Sequence, residues 1–180
     1  MSTPLVAVLA LIDAASPGNS LVVIGIGGHG GVGKSTLARA ISDHLPSVQI
    51  IPTDSFWNGA QFDLPRLRVV LDGLLAGRSA TYEEWDWTGG RLAGHRTVEP
   101  TGLVIIEGVC ALHQMFRDDM SVRIWVEAPY DVRLARGIAR DGEHMRSTWT
   151  DVWMPSEDAY VARDNPHACA QLTVDGTRPL

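Results

Sequence analysis

The chain has 180 residues, 45% of them apolar and 20% charged, with a net charge of −6. That suffices for one soluble domain with a sizeable core. The acidic balance argues against sequence-independent nucleic-acid binding, which depends on neutralising phosphates with basic side chains.

Residues 1–16 hold a short apolar run with no basic leader, and Asp13 interrupts it. The stretch reads as a short helix capped by Ser2 or Thr3, with Pro4 in its first turn, and not as a signal peptide or membrane span. A cytoplasmic protein without membrane contact is expected. LVVIGI (21–26) is a continuous β-branched run, expected as a buried strand. From Gly33 to about Leu45 the spacing is helical, with Leu37, Ala38 and Ile41 on one face. VQIIP (48–52) reads as a second strand. Residues 63–76 read as a helix with Leu64, Leu67, Leu71, Leu74 and Leu75 along its apolar face and Gly77 as its stop.

The polar and aromatic section 78–100 fits either a small hairpin or a long loop. LVIIEG (103–108) and VRIWVEA (122–128) read as strands, 130–140 as a helix, and 142–155 shows no clear period. Ser156 is expected to cap a further helix, and QLTVDG (171–176) to form a fifth strand. Alternating strands and helices predict an α/β fold of three layers around a five-stranded parallel sheet. No repeat or linker divides the chain, so 1–180 reads as one domain. Cys110 and Cys169 are far apart and form no CxxC, and are expected as small buried hydrophobes.

Five glycines fall between Gly27 and Gly33, directly after the first strand. Gly28 to Ser35, GHGGVGKS, matches G-x-x-x-x-G-K-[ST] at every fixed position, between a predicted strand and a predicted helix. That is the context of a P-loop, in which successive backbone N–H groups form a nest for phosphate oxygens. The helix N-terminus adds partial positive charge at the same place. The expected triphosphate contacts are Gly28, His29, Gly30, Gly31, Val32, Gly33, Lys34, Ser35 and Thr36. Lys34 would reach the β- and γ-phosphates, and the Ser35 hydroxyl would ligate Mg²⁺.

Neither N-K-x-D nor T-K-x-D, the guanine-reading elements of switch GTPases, occurs. Glu107 ends the LVIIEG strand, and Asp54 follows the second strand in PTDSFW. Both leave the sheet at the carboxyl edge, where open α/β sheets bind ligands. Glu107 suits Mg²⁺ or its waters, or is simply a strand-exit residue. Asp54 suits the proton-accepting carboxylate of a phosphoryl transfer, or a turn cap at Ser55. Arg133, Arg136 and Arg140 share one helix face, either a solvated face or a lid over the phosphates.

In order and approximate spacing, GGHGGVGKST, TDSFW, FD, WDW, IIEG and DVRLARGIARD resemble the uridine kinase-like group of P-loop kinases, over about residues 21–141. The resemblance implies a kinase that uses ATP and Mg²⁺ on the 5′-hydroxyl of a nucleoside-like acceptor. It makes Asp54 the catalytic carboxylate, with Lys34, Arg133 and Arg136 at the transferring phosphate and Arg140 on the nucleotide. Glu107 would support Mg²⁺ with Ser35. Asp63 would hold ribose hydroxyls, and Trp85 stands where YDF-type members stack a tyrosine on the base. Phe56 and Arg91 complete the expected acceptor side, and residues 130–155 the lid.

Trp57, Trp85 and Trp87 could build a stacking pocket or pack as core, while Trp149 and Trp153, four apart, fit core better than ligand. Uridine or cytidine is the first acceptor expected. Nicotinamide riboside, pantothenate and a nucleoside monophosphate remain alternatives; the last would need an acceptor-phosphate cluster from Arg66, Arg68, Arg78, Arg91 and Arg96. A non-catalytic nucleotide-dependent switch would not need Asp54. Self-association is left open.

Overall fold

A computed structural model describes residues 3–180. Its elements run α1 (Pro4–Ala15), β1 (Leu21–Gly27), α2 (Lys34–His44), β2 (Val48–Pro52), α3 (Leu64–Leu75), β3 (Ala80–Asp86), β4 (Arg91–Val98), β5 (Gly102–Glu107), β6 (Val122–Glu127) and α4 (Tyr130–Asp141). A single turn, α5 (Arg146–Thr148), runs into a π-helical turn (Trp149–Trp153), then α6 (Met154–Asp164) and β7 (Leu172–Asp175).

Five strands form an all-parallel sheet in the order β2-β5-β1-β6-β7. Along β1 the side chains alternate between two cores, as the period of two requires. Val22, Ile24 and Ile26 pack with Leu5, Val8 and Ile12 of α1 and Leu37 and Ile41 of α2. Val23 faces the other way, into a core shared with Ile51, Val104, Ile106 and Leu67, Leu71 and Leu74 of α3. The expected α/β fold around a five-stranded parallel sheet is therefore observed.

Register sets the functional rim. In the pairing of β5 with its neighbours, Glu107 lies opposite Ile26 on one side and Pro52 on the other. The P-loop begins two residues after Ile26, and Asp54 lies two after Pro52. Three functional segments therefore leave adjacent strands at one edge, where strand order reverses about β1.

Residues 78–100 settle as an antiparallel hairpin, β3 with β4, outside the main sheet. The hairpin is held because Tyr82 and Val98 are buried in the α3-side core. Three local expectations need correction. Ser156 lies inside α6 and caps nothing: the chain is already helical through Trp149–Trp153, and the Ser156 hydroxyl donates to the Trp153 carbonyl. Leu75 is exposed, and Val70 takes its place on the buried face of α3. Thr3 occupies the α1 N-cap without a side-chain hydrogen bond, and Ser2 lies outside the described residues. Cys110 is buried and Cys169 half-buried, both free.

Candidate active site

The glycine-rich turn leaves β1 and closes on α2, whose first residue is Lys34. Gly33 takes a φ of 106° at the N-cap, a backbone state that side-chain-bearing residues rarely adopt. This aims the first α2 amides into the cradle. Lys34 is buried, and its Nζ donates to the His29 carbonyl at 2.7 Å. Burial holds its ammonium below the ordinary lysine range, while Glu107, Asp54 and Glu157 each pull it back up. One lysine is thus felt by three carboxylates.

Glu107 is buried at the end of β5 and accepts from the Ser35 hydroxyl at 2.9 Å. Loss of hydration raises its carboxyl above the usual range; Lys34 and the Ser35 bond oppose that rise, and Asp54 adds to it. Asp54 sits on the short 3₁₀ turn Thr53–Phe56 after β2. Its residue surface is open to solvent, yet protein crowds the carboxyl closely enough to strip much of its hydration. That crowding raises it above the usual carboxylate range, against the pull of Lys34 and Arg140.

Among the described residues no three His, Cys, Asp or Glu side chains form a metal cage. Mg²⁺ needs none, since it binds through one or two protein oxygens and completes its octahedron with water and phosphate. The Ser35 hydroxyl and the Glu107 carboxylate, hard oxygen donors already in contact, fit that requirement.

The arginines of α4 are engaged differently from a simple lid face. Arg133 is buried, and its Nη2 donates to Glu157 Oε2 at 3.2 Å. The position expected at the phosphates is therefore spent on a carboxylate of α6. Arg136 donates to the Gly176 carbonyl at 2.9 Å and to the P-loop carbonyls of Gly31 and Val32 at 3.3 and 3.4 Å. Arg140 pairs with Asp141 through two hydrogen bonds of 2.7 and 2.9 Å, lies over the Trp149 ring, and is close enough to act on Asp54. Trp149 is core, as its spacing from Trp153 suggested.

The expected acceptor side divides. Phe56 has no exposed surface; it packs on Tyr82 with their ring centroids 4.8 Å apart, under the Arg66 guanidinium, so a ligand cannot touch it. Asp63 caps α3, accepting from the Arg66 amide at 3.1 Å. Trp57 and Trp87 stack on each other at 5.7 Å, Trp85 meets Trp87 edge-on, and Phe62 meets Trp57 in the same way. These rings form one cluster between the Asp54 turn and the hairpin. Arg91 is exposed at the hairpin tip, opposite Asp86.

Three arginines of the expected acceptor-phosphate cluster are engaged elsewhere. Arg66 donates to the Ser55 carbonyl, Arg68 to Asp72, Asp119 and the Met115 carbonyl, and Arg96 to the Ile50 carbonyl and Glu84.

Two features escaped the sequence reading. A groove of about 510 Å³ runs beside the P-loop, lined among others by Val32, Thr36, Arg136, Gly176, Thr177 and Arg178. The Gly176–Arg178 part follows β7 at the same carboxyl edge as the P-loop, a placement visible only once β7 is known to be parallel. The other is Glu157, which carries no motif signature.

The Phosphoribulokinase / Uridine kinase family model matches residues 52–168, a region that begins after the P-loop. A uridine kinase of Halobacterium salinarum is 36% identical over 138 residues, covering 66% of this chain and 61% of that one. A uridine kinase of Deinococcus deserti is 31% identical over 147 residues, covering 70% and 71% respectively. The alignment thus spans about three fifths of the length of the Halobacterium relative. The solved structure of a possible uridine kinase from Bacillus stearothermophilus superposes with a TM-score of 0.73 over 95% of this chain and 97% of that one, at 21% identity, which speaks for the fold. With a P-loop upstream of the matched region and the parallel sheet of such kinases around both, the chain belongs to the Phosphoribulokinase / Uridine kinase family.

Proposed function

We propose that the protein transfers the γ-phosphoryl group of ATP to a hydroxyl of a small nucleoside-like acceptor, with uridine and cytidine the first candidates. The observation that carries this reading is that Lys34, Asp54 and Glu107 leave adjacent strands at one sheet edge, with both carboxylates close enough to act on the one lysine. A binding module needs the lysine and the serine. It has no use for a second carboxylate close enough to act on the same lysine.

The roles follow from chemistry. Backbone amides at the α2 end of the loop, Gly33 to Ser35, and the Lys34 ammonium hold the triphosphate. Ser35 and Glu107 would hold Mg²⁺, which would supply charge neutralisation at the phosphates. Asp54 orients the acceptor hydroxyl and takes its proton as the new O–P bond forms and the bond to the β-phosphate oxygen breaks. The groove between Arg136 and Gly176–Arg178 is large enough for the nucleoside part of the donor. Asp63 and Trp85 are the acceptor contacts this reading needs, with Arg140 completing the charge around Asp54.

Two relatives, at 36% and 31% identity, are uridine kinases, which supports the acceptor class. Engagement of Arg66, Arg68 and Arg96 elsewhere argues against a nucleotide acceptor. The test is ADP release with Mg·ATP and a panel of uridine, cytidine, nicotinamide riboside, pantothenate and nucleoside monophosphates. Acceptor-dependent release with a nucleoside supports the reading; release with none of the panel overturns it.

A further inference from the structure

The first turn of α6 reaches into the phosphate cradle. Gly30 N–H donates to Glu157 Oε2 at 2.9 Å, and the Arg133 guanidinium donates to the same oxygen. Both charged side chains are shielded, with only 11% of Glu157 and 7% of Arg133 exposed. On the other face of the same peptide unit, the His29 carbonyl accepts from Lys34 Nζ. One peptide is therefore gripped from two sides, by the lysine that meets phosphate and by a carboxylate 127 residues away.

The surroundings leave this peptide little freedom. A Cβ on Gly30 would lie 2.8 Å from Glu157 Oε1 and 2.9 Å from the Trp149 ring, and one on Gly31 would lie 2.5 Å from the Arg133 carbonyl. Asp158, next to Glu157, lies 3.2 Å from His29 Nε2.

A carboxylate on a phosphate-loop amide could be a stand-in that phosphate displaces, or a fixed brace. Burial decides between them. Displacing Glu157 would break a shielded ion pair and leave its charge beside an incoming anion, an arrangement that carries a large desolvation and repulsion penalty. Phosphate can instead use the amides of Gly33 to Ser35 and the free protons of Lys34.

We propose that Glu157 is a positioning residue for Lys34: through the His29–Gly30 peptide it sets the ammonium that meets the terminal phosphate. The inference rests on the kinase reading for its consequence in turnover, but it is tested by binding alone. A peptide shifted at the Lys34 end weakens contact with the γ-phosphate, while the α2 amides still hold the inner phosphates.

The experiment titrates Mg·ADP and the Mg complex of a non-hydrolysable imido analogue of ATP into wild type, Glu157→Asp and Glu157→Gln. Asp keeps the charge and withdraws the oxygen by one methylene; Gln keeps the reach and loses the charge. The expected result for Glu157→Asp is about ten-fold weaker binding of the ATP analogue, equivalent to one good hydrogen bond, with ADP changed by less than about three-fold. Glu157→Gln should stay within about three-fold of wild type for both ligands, since its amide oxygen can still accept from Gly30.

The proposal is overturned if Glu157→Asp binds the analogue as well as or better than wild type, if it loses both ligands equally, or if Glu157→Gln is the more damaged variant. Absence of acceptor phosphorylation by wild type would sink the kinase reading and leave these binding ratios to be judged by themselves.

Discussion

Ser35 Oγ donates to Glu107 Oε1 across 2.9 Å, although 72 residues separate the two. The contact exists because β1 and β5 are parallel neighbours with Ile26 opposite Glu107, so the P-loop turns back over the end of β5. It joins the two oxygens best suited to Mg²⁺. Glu107→Gln keeps an acceptor for Ser35 and removes the charge. The Mg²⁺ concentration for half-maximal turnover should rise by about ten-fold to a hundred-fold, with metal-free ADP binding little changed. A magnesium titration of ADP release checks this; an unchanged midpoint would remove Glu107 from the metal's surroundings.

Asp54 is the residue that separates a kinase from a switch. Asp54→Asn should lower turnover by about 10²- to 10⁴-fold while nucleotide still binds, as expected when a general base is removed. The pH profile carries the same information. If Asp54 takes the acceptor's proton, turnover needs its carboxylate, and crowding by protein raises its pKa. As pH falls through that raised pKa the group protonates, so the acid limb of kcat/KM should lie above the ordinary carboxylate range.

His29, inside the P-loop, should make stability depend on pH. Burial and the charge of Arg133 lower its folded pKa from 6.5 to about 4, against the opposing pull of Asp158. Between these values the unfolded chain binds the proton and the folded chain does not. Stability from this group is therefore full above pH 6.5 and is lost as pH falls towards about 4, by at most about 3 kcal/mol. Urea unfolding at pH 7, 6 and 5 should show a steeper decline for wild type than for His29→Asn; parallel declines would contradict it.

Gly137 in α4 offers a contest between two effects of opposite sign. Alanine is favoured over glycine in a helix by about 1 kcal/mol. Its Cβ would lie 2.5 Å from the Trp149 ring, which is fully buried and tethered by a 3.0 Å hydrogen bond to Asp141. Overpacking of that kind costs about 1–3 kcal/mol. Gly137→Ala should therefore lower the denaturation midpoint, and a stabilised variant would show that Trp149 can yield.

Trp85 lies in the aromatic cluster beside the Asp54 turn. If the acceptor is a nucleoside stacked on it, Trp85→Ala should raise the acceptor KM by about 5- to 100-fold, a stacking loss of about 1–3 kcal/mol. The KM for ATP should stay unchanged. Equal rises in both constants would point to damage to the hairpin.

The sequence by itself determined the parts whose cause is local. β2 spans the expected 48–52, β1 runs one residue longer than expected and β5 is shifted by one residue, because apolar runs report burial directly. The P-loop was legible for the same reason: a nest of backbone amides needs only glycines in the right order between a strand and a helix. Tertiary structure alone decided the rest. Strand order brought Glu107 between Ile26 and Pro52, and packing buried Phe56 beneath the acceptor side. A fold-back of the last helix gave Arg133 a carboxylate partner. Periodicity records which face of an element is buried, but not what buries it. An arginine on a helix face reads the same whether its partner is water, phosphate or Glu157, because that partner is supplied by chain far away in sequence.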